Sequence, residues 1–190
     1  MQVHLHGSYR WVGQGEDALF RRPEAQGRGV YLWTVPFEDG FLCYYVGETG
    51  RSFHKRFTEH ARDCVSGLYR IYDPKQFAHG RKTLVWEGMW KPGTQDRMGE
   101  FLDLLPELAP VISEFLRLFQ MFLIPFEGKQ RVRQRLEAAI ADRLNRQPGV
   151  VGTFQDRDIR YRHRRGDEEP VRVRVGGHAA VHGLGRELVA

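Results

Sequence analysis

The stretch YYVGETGRSFHKRFTEH, residues 44–60, brings three chemically active groups into a short part of the chain. Tyr45 supplies a phenol, Arg56 a guanidinium and His60 an imidazole, and the last two fall four residues apart. A phenol and an imidazole can exchange a proton, and a guanidinium can donate two hydrogen bonds to one anion. The combination indicates proton transfer beside an anionic group, provided that the surrounding elements bring the side chains together.

A β-hairpin is the first of these elements. Residues 29–35, GVYLWTV, and residues 41–47, FLCYYVG, are β-branched and aromatic, and the turn segment PFEDG separates them. If the hairpin is symmetric about Glu38, Tyr31 lies directly opposite Tyr45. Facing residues of antiparallel strands project from the same side of the sheet, so we expect the two phenols to share one face.

A helix over residues 52–65 follows the hairpin. Ser52 is a good N-cap, and apolar residues recur after it at helical spacing. Arg56 and His60 lie one turn apart and about 100° round from the apolar stripe. They are therefore expected at the rim of the buried face. The stripe consists of Phe53, Phe57, Ala61 and Cys64.

The second half of the chain supplies a carboxylate. FQMFLI, residues 119–124, is a continuous apolar run typical of a central buried strand. Residues 129–145 have the clearest helical pattern, and Glu137 falls just outside its apolar arc. The arc consists of Val132, Leu136, Ala139, Ile140 and Leu144.

Residues 66–117 separate the two halves and carry no recognisable DNA-reading motif. LVWEGMW, residues 84–90, predicts a short strand, and KPGTQD after it predicts a turn. Helical spacing over residues 99–118 is interrupted by Pro106 and Pro110, which favours two short helices over one.

The charge balance favours an anionic partner. The formal net charge is +5, and only five of the 29 basic residues are lysines. Arginine suits phosphate because its planar fork donates two bonds at once. Nucleic acid is one interpretation of this excess, and an arginine-rich surface that reflects codon usage is the other.

Several classes of protein are disfavoured by composition. Cys43 and Cys64 form no CxxC pair and lie among apolar residues, so we expect buried free thiols and a cytoplasmic location. No signal peptide is expected from the first residues, and the apolar stretch 115–126 is too short and too interrupted to span a membrane. Histidines at 4 and 6 have no accompanying cysteine or carboxylate, and those at 178 and 182 lie in a glycine-rich tail that would hold a metal poorly, so neither pair predicts a metal site.

The C-terminal part, residues 151–190, has a different composition. Four arginines fall within six residues and alternate with an aromatic residue and a histidine, a pattern that can follow a phosphate backbone. The alternative is a solvated run neutralised by the acidic residues 167–169. The later VRVRV segment is either flexible or pairs with the first residues of the chain. The four arginines are Arg160, Arg162, Arg164 and Arg165.

Taken in order, these elements resemble the GIY-YIG endonuclease superfamily. GVY at 29–31 stands at the first tripeptide and YVG at 45–47 at the second, followed by arginine and histidine in a helix. A glutamate and an asparagine in a later helix complete the pattern. The resemblance covers residues 29–65 and 119–145. It implies a nuclease domain over 1–150 with an insertion at 66–117, and a basic extension over 151–190.

The implied fold is α/β (α+β), with a small mixed, mainly antiparallel sheet flanked by helices. The implied activity is hydrolysis of DNA, double-stranded above all, to 5′-phosphate and 3′-hydroxyl ends with one Mg²⁺, or Mn²⁺ in its place. Tyr31 is then the general base, Arg56 stabilises the transition state and Glu137 holds the metal. His60 relays a proton and Tyr45 positions water or phosphate. Substrate contacts are expected from Gly29, Gly47, Thr49, Lys55 and Asn145, and from the four arginines of the extension.

Each residue also has a plain structural interpretation. Facing tyrosines are often core aromatics, an arginine and a histidine can occupy a solvated helix rim, and a helical glutamate often pairs with a neighbouring arginine. The alternative function is a module on the same fold that binds nucleic acid or protein without cutting. The target, the biological role and the oligomeric state are not predicted.

Overall fold

The computed structural model describes residues 1–91, 93–94, 96–156, 164–176 and 180–190. Its strands are β1 (Gln2–Arg10), β2 (Gly29–Phe37), β3 (Gly40–Thr49), β4 (Ile71–Tyr72), β5 (Leu84–Trp86), β6 (Gln120–Pro125), β7 (Arg172–Val175) and β8 (Glu187–Val189). Its α-helices are α1 (Phe53–Val65), α2 (Pro74–Ala78), α3 (Met98–Leu118), α4 (Gln130–Asn145) and α5 (Gly149–Thr153).

Six of the strands form one sheet in the order β3-β2-β6-β1-β7-β8, while β4 and β5 form a separate pair. Only β1 and β7 are parallel among the described pairs. The predicted class, helices with a mixed and mainly antiparallel sheet, is confirmed. None of the helices in the described part of the chain combines the length and the apolar character needed to cross a bilayer.

Helices cover both faces of this sheet. Tyr31 and Trp33 of β2 project into a core that they share with Phe53 and Phe57 of α1, together with α2 and α3. Alternate residues of β2 project into a second core with Leu136, Ile140 and Leu144 of α4. The two candidate helices, α1 and α4, therefore lie on opposite sides of the sheet.

The β2–β3 hairpin differs from the predicted register. A two-residue loop at Glu38 and Asp39 closes it, with Glu38 at a positive φ of 51°. Tyr31 pairs with Gly47, and Trp33 pairs with Tyr45, so the prediction that Tyr31 lies directly opposite Tyr45 is wrong. The loop is centred between Glu38 and Asp39 instead of on Glu38, which shifts the pairing of the strands by one position. An irregularity in the ladder between Trp33 and Thr34 shifts the pairing by one more.

That irregularity is a β-bulge that leaves Tyr44 without a cross-strand partner. Cys43 pairs with Thr34 and Tyr45 with Trp33, so two steps on β3 match one step on β2. The bulge turns Tyr45 back to the α1 side of the sheet. The two phenols consequently share a face, with ring centroids 6.2 Å apart, although their strand positions are not paired.

Helix α3 is a single helix, so the prediction of two short helices over residues 99–118 is wrong. Pro106 and Pro110 lie inside it on its exposed side. The carbonyls that lose their helical donors there can bond to water, which reduces the cost of each proline. The apolar stripe that packs on the core continues past both prolines, through Phe101, Leu108, Ile112, Phe115 and Leu116.

The C-terminal part extends the sheet. Strand β7 pairs with β1, so of the two alternatives for VRVRV the structure shows pairing with the first residues. Glu168 fixes this part to α4: it accepts hydrogen bonds from Arg131 Nε at 2.6 Å and Arg135 Nη1 at 3.1 Å. The backbone N–H of Arg165 donates to the same carboxylate at 2.8 Å. One acidic residue of the extension therefore pairs mainly with the helix rather than with side chains of the arginine run.

We expect Glu168→Gln to lower the melting temperature at pH 7 and to weaken the loss of stability in acid. The Arg165 N–H, with Arg131 and Arg135, lowers the pKa of Glu168 from 4.5 to about 2. A carboxyl whose pKa is lower in the folded chain stabilises it fully above the unfolded value, and that stabilisation is lost as the pH falls from about 4.5 to about 2. Thermal melts between pH 7 and pH 2 measure the difference.

Glu127→Gln is the matched control. Glu127 accepts from Arg28 Nε at the same 2.6 Å, but both side chains are largely exposed, at 47% and 68% for the arginine and the glutamate. Exposed ion pairs contribute little to stability, so this variant should melt like the wild type. A Glu168→Gln protein with an unchanged melting temperature and acid transition would contradict the assigned role.

Candidate functional site

The hydroxyl of Tyr31 is the meeting point of β2 and α1. It lies 2.9 Å from His60 Nε2 and 3.4 Å from Arg56 Nε. Ser52 caps α1 by accepting from the Lys55 backbone N–H, which begins the helix where Phe53 and Phe57 pack on the Tyr31 ring. The two side chains four residues apart therefore reach one oxygen, as their helical spacing allows. Arg56 is half-buried, as predicted, but His60 is buried, so its predicted position at the rim is wrong; its bonds to Tyr31 and Tyr69 hold it inside.

His60 continues the chain of hydrogen bonds beyond Tyr31. Its Nδ1 lies 2.9 Å from the hydroxyl of Tyr69. Burial, followed by the charge of Asp63, raises the pKa of that phenol. A guanidinium N–H can only donate, so the Tyr31 oxygen accepts from Arg56 Nε–H, and the buried Tyr31 O–H has His60 Nε2 as its acceptor.

The tautomer of His60 follows from this assignment. A neutral imidazole that accepts at Nε2 carries its proton on Nδ1, so His60 Nδ1–H donates to the Tyr69 oxygen. The donors along the chain then point from Arg56 through Tyr31 and His60 to Tyr69.

Burial keeps the central pair neutral. Tyr31 is only 1% exposed. Loss of solvent, with a smaller effect from Tyr45, raises the pKa of its phenol well above the usual value. Burial, with the positive charges of Arg56 and Arg51, lowers the pKa of His60 to about 3. The resting state is a neutral phenol bonded to a neutral imidazole, and it can transfer a proton without a net change of charge in the pair.

Two glycines make room for this arrangement. A Cβ on Gly47 would lie 2.5 Å from Cζ and Oη of Tyr31 and 2.7 Å from Cε1 of Tyr45. Gly29, with φ of 151°, lies so close to β6 that a Cβ would collide with the carbonyl of Ile124. Both positions need glycine because neighbouring atoms of the sheet come too close for a Cβ. Neither residue has a side chain with which to contact a substrate.

Glu137 approaches from the other face of the sheet. Helix α4 packs against β3, the edge strand, and the half-buried Glu137 lies near the Glu48 backbone N–H of that strand. Its charge acts on both Tyr45 and Tyr31. Helix α4, which carries Glu137, thus lies on the face of the sheet opposite Tyr31, and the two groups interact through charge rather than by direct contact.

The carboxylates at this edge fit a hard divalent cation. Burial, followed by the charge of Glu48, raises the pKa of Glu137 to about 7. Glu48 is itself paired with Arg133 Nε at 3.1 Å. One half-buried carboxylate near a second one suits Mg²⁺ or Mn²⁺, which bind few protein oxygens and retain several waters. The one described group of three candidate metal ligands, Glu38, Asp39 and His182, lies instead at the turn of the hairpin.

The other predicted contacts lie away from this centre. Lys55 is on the exposed side of α1, and the Thr49 hydroxyl accepts from the Arg51 N–H in a local turn. Asn145 ends α4, about two helical turns beyond Glu137. Arg164 lines a groove on the opposite side of α4, and the Arg165 backbone is bound by Glu168. Arg160 and Arg162 lie outside the described residues.

Sequence patterns missed three polar residues of the site. Tyr69 extends the hydrogen-bond chain, the charge of Asp63 acts on Tyr69, and Glu48 lies near Glu137. Asp63 lies one turn beyond His60 on α1, which is a usable signal. Tyr69 lies after the helix ends, and no spacing rule connects it to His60. Comparison with known proteins adds nothing to this assignment: no protein-family model, curated protein or solved structure matches the chain.

We expect Gly47→Ala to destabilise the protein by about 1–3 kcal/mol, the usual cost of overpacking a tight core. The new methyl group would push Tyr31 away from His60 or move β3. Urea unfolding measures the loss. Gly99→Ala is the control, since Gly99 lies in α3 with no atom within 4 Å of the added carbon, and alanine there should stabilise by about 0.5–1 kcal/mol. Equal stability of Gly47→Ala and wild type would show that the contact is not tight.

In EDTA we expect Glu137→Gln to stabilise the chain more at pH 8 than at pH 5. The pKa of Glu137 is raised from 4.5 to about 7. Its contribution is therefore complete below about pH 4.5 and is lost as the pH rises to 7. The gain at pH 8 should be on the order of 2–3 kcal/mol at most. Urea unfolding at both pH values measures it. Exposed Glu114 on α3, changed to Gln, should give no such difference, and a pH-independent effect of Glu137→Gln would contradict the prediction.

Proposed function

We propose that this chain is a metal-dependent endonuclease that hydrolyses phosphodiester bonds in DNA, as its GIY-YIG-like motifs imply. The observation that carries the proposal is the directed hydrogen-bond chain at the Tyr31 hydroxyl. A hydroxyl that accepts from Arg56 and donates to His60 is suited to taking a proton from water while it passes its own proton on. A tyrosine whose only role is to fill the core would need one hydrogen-bond partner for its hydroxyl, whereas Tyr31 has two.

The proton balance of the hydrolytic step follows from that chain. As water attacks phosphorus, its proton passes to the Tyr31 oxygen and the Tyr31 proton passes to His60 Nε2. Tyr31 stays neutral throughout. The imidazolium is costly in the free protein because of burial and two nearby arginines. Negative charge on a phosphate beside Arg56 offsets this cost, and His60 Nδ1–H keeps its bond to the Tyr69 oxygen.

Arg56 and Glu137 act on the anionic centre. Arg56 is half-buried, with Nε on Tyr31 and Nη1 on Glu59 at 3.4 Å. Its Nη2 can donate to a nonbridging phosphate oxygen, where charge builds in the transition state. Glu137, with Glu48 nearby, would hold the divalent cation. Such a cation, when bound, stabilises the leaving 3′-oxygen. Tyr45 lies between these groups and positions water or phosphate.

The burial of Tyr31 favours a second candidate, a module that binds nucleic acid or protein without cutting. With 1% of its surface exposed, the phenol meets water only after a local movement. In that case the Tyr31–His60 bond serves stability alone. The excess of basic residues serves either candidate equally well.

Plasmid nicking in Mg²⁺, measured beside gel retardation without Mg²⁺, separates the two candidates. We expect Tyr31→Phe, Arg56→Ala and Glu137→Gln each to lower the nicking rate by about 10²-fold or more, with retardation largely retained. Tyr72→Phe is the control, because Tyr72 is a buried phenol of the same core outside the hydrogen-bond chain. It should nick like the wild type.

The metal has a readout of its own. Mg²⁺ should raise the melting temperature of the wild type through binding to the folded chain, and this increase should disappear in Glu137→Gln. A Glu137→Gln protein that nicks at the wild-type rate would remove Glu137 as the ligand. Retardation of DNA by a wild-type protein that nicks no substrate would establish the second candidate.

A further inference from the structure

A cleft of about 310 Å³ opens beside the candidate site. Tyr45, Arg56 and His60 contribute to one wall, and Trp33, Tyr44 and Phe115 contribute apolar surface. The remaining wall comes from the region between α1 and α3, which carries no motif. Its lining residues there are Leu68, Tyr69, Arg70, Glu87, Gly88, Trp90, Lys91 and Thr94.

Trp90 is the most exposed of the large apolar side chains at this cleft. Its indole is 67% exposed, whereas Trp33 is 4% exposed. Its ring contacts Tyr69 nearly edge-on, with centroids 5.9 Å apart and an angle of 63°. An indole held at its edge leaves its face open to a flat ligand.

The loop that carries Trp90 is held in place. The Met89 N–H donates to the Leu68 carbonyl at 2.9 Å, and Trp86 Nε1 donates to the Gly67 carbonyl at 2.6 Å. Gly88 has a φ of 83°, and a Cβ there would lie 2.7 Å from the Leu68 carbonyl oxygen. Trp90 is therefore presented by a fixed backbone, which lowers the entropy lost when a ligand binds.

The polar groups of the cleft match a nucleotide. Arg56, Arg70 and Lys91 are cationic and suit phosphate. Glu87 pairs with Arg97 at 3.5 Å and Asp156 acts on Arg70, and a carboxylate has further lone pairs that can accept from the amino groups of a base. A lipid or alkyl ligand would use none of these charges, and free phosphate would use none of the aromatic surface. The cleft volume is at the lower end of the ~300–1,000 Å³ typical of ligand sites, which suits one nucleotide.

We propose that this cleft takes one unpaired nucleobase of the DNA substrate, stacked on Trp90, from the nucleotide next to the phosphate at Arg56. The placement of that phosphate rests on the proposed function. A base within a duplex is stacked between its neighbours and must leave the helix to enter such a cleft. The preferred substrate is therefore DNA with an unpaired nucleotide, as in a bulge, a flap or a single strand, rather than a matched duplex.

Fluorescence of 2-aminopurine tests the binding step without cleavage. A 12-nucleotide oligo(dT) with one central 2-aminopurine is titrated with Glu137→Gln protein in EDTA, alone and as a matched duplex. We expect quenching and tighter binding for the single strand. A second substitution, Trp90→Ala, should weaken single-strand affinity about 5- to 100-fold, the range for loss of one base–aromatic stack. Trp90→Phe should retain most of the affinity.

Leu102→Ala is the control, because Leu102 is an exposed apolar residue, at 56%, that does not line the cleft. It should leave binding unchanged. Single-strand affinity that is unaltered by Trp90→Ala, or equal affinity for single strand and matched duplex, would overturn the proposal.

Cleavage of a duplex with a one-nucleotide bulge, relative to its matched duplex, separates this proposal from the nuclease proposal. A preference for the bulge that Trp90→Ala removes supports both. Nicking that depends on Glu137 but shows the same ratio with and without Trp90 overturns the cleft assignment alone. Trp90-dependent single-strand binding by a protein that cuts nothing supports the cleft and overturns the nuclease.

Discussion

A hydroxyl group buried in an aromatic core is the constraint around which this molecule is arranged. An unsatisfied buried hydroxyl costs about 1–3 kcal/mol, and the Tyr31 hydroxyl avoids that cost through Arg56 and His60. Both partners lie on α1, so the helix must cross β2 with its Phe53–Phe57 stripe against the Tyr31 ring. The same docking that builds the core therefore orients the polar chain, and the geometry of the site is a consequence of packing.

The edge of the sheet is where the two helical layers can act together. A central strand would separate α1 from α4 completely, whereas β3 is the last strand of the sheet. Its first half bonds to residues 180–182 and to Asp156, and α4 packs against the strand from the other face. Glu137 reaches this edge from the α4 side, and Tyr45 reaches it from the α1 side because of the bulge at Tyr44. A cation held at the edge and a proton chain inside the α1 layer would then serve one phosphate from two directions.

The region between α1 and α3 extends this centre instead of standing apart from it. It supplies Tyr69, which completes the hydrogen-bond chain, and Trp90, which borders the adjacent cleft. In the proposed enzyme, the proton transfer at His60 and the selection of an unpaired base would both depend on residues of this one segment. The segment has no sequence motif, and glycine geometry with backbone bonds holds the part that leads to Trp90.

The sequence by itself determined several local features: the cap at Ser52, the helix that stacks Arg56 on His60, and the position of Glu137 at a helix rim. Each depends on spacing within one element, which the chain records directly. The register of the hairpin could not be determined in this way. A two-residue loop shifts the strand pairing by one position, and the bulge at Tyr44 shifts it again. Tyr45 therefore lies on the expected face of the sheet but pairs with a different residue. The continuity of α3, the β1–β7 pairing and the bond from His60 to Tyr69 join segments whose contact depends on packing. Only the tertiary structure decided these three features, because the local periodicity of a sequence does not specify which distant apolar surfaces pack against each other.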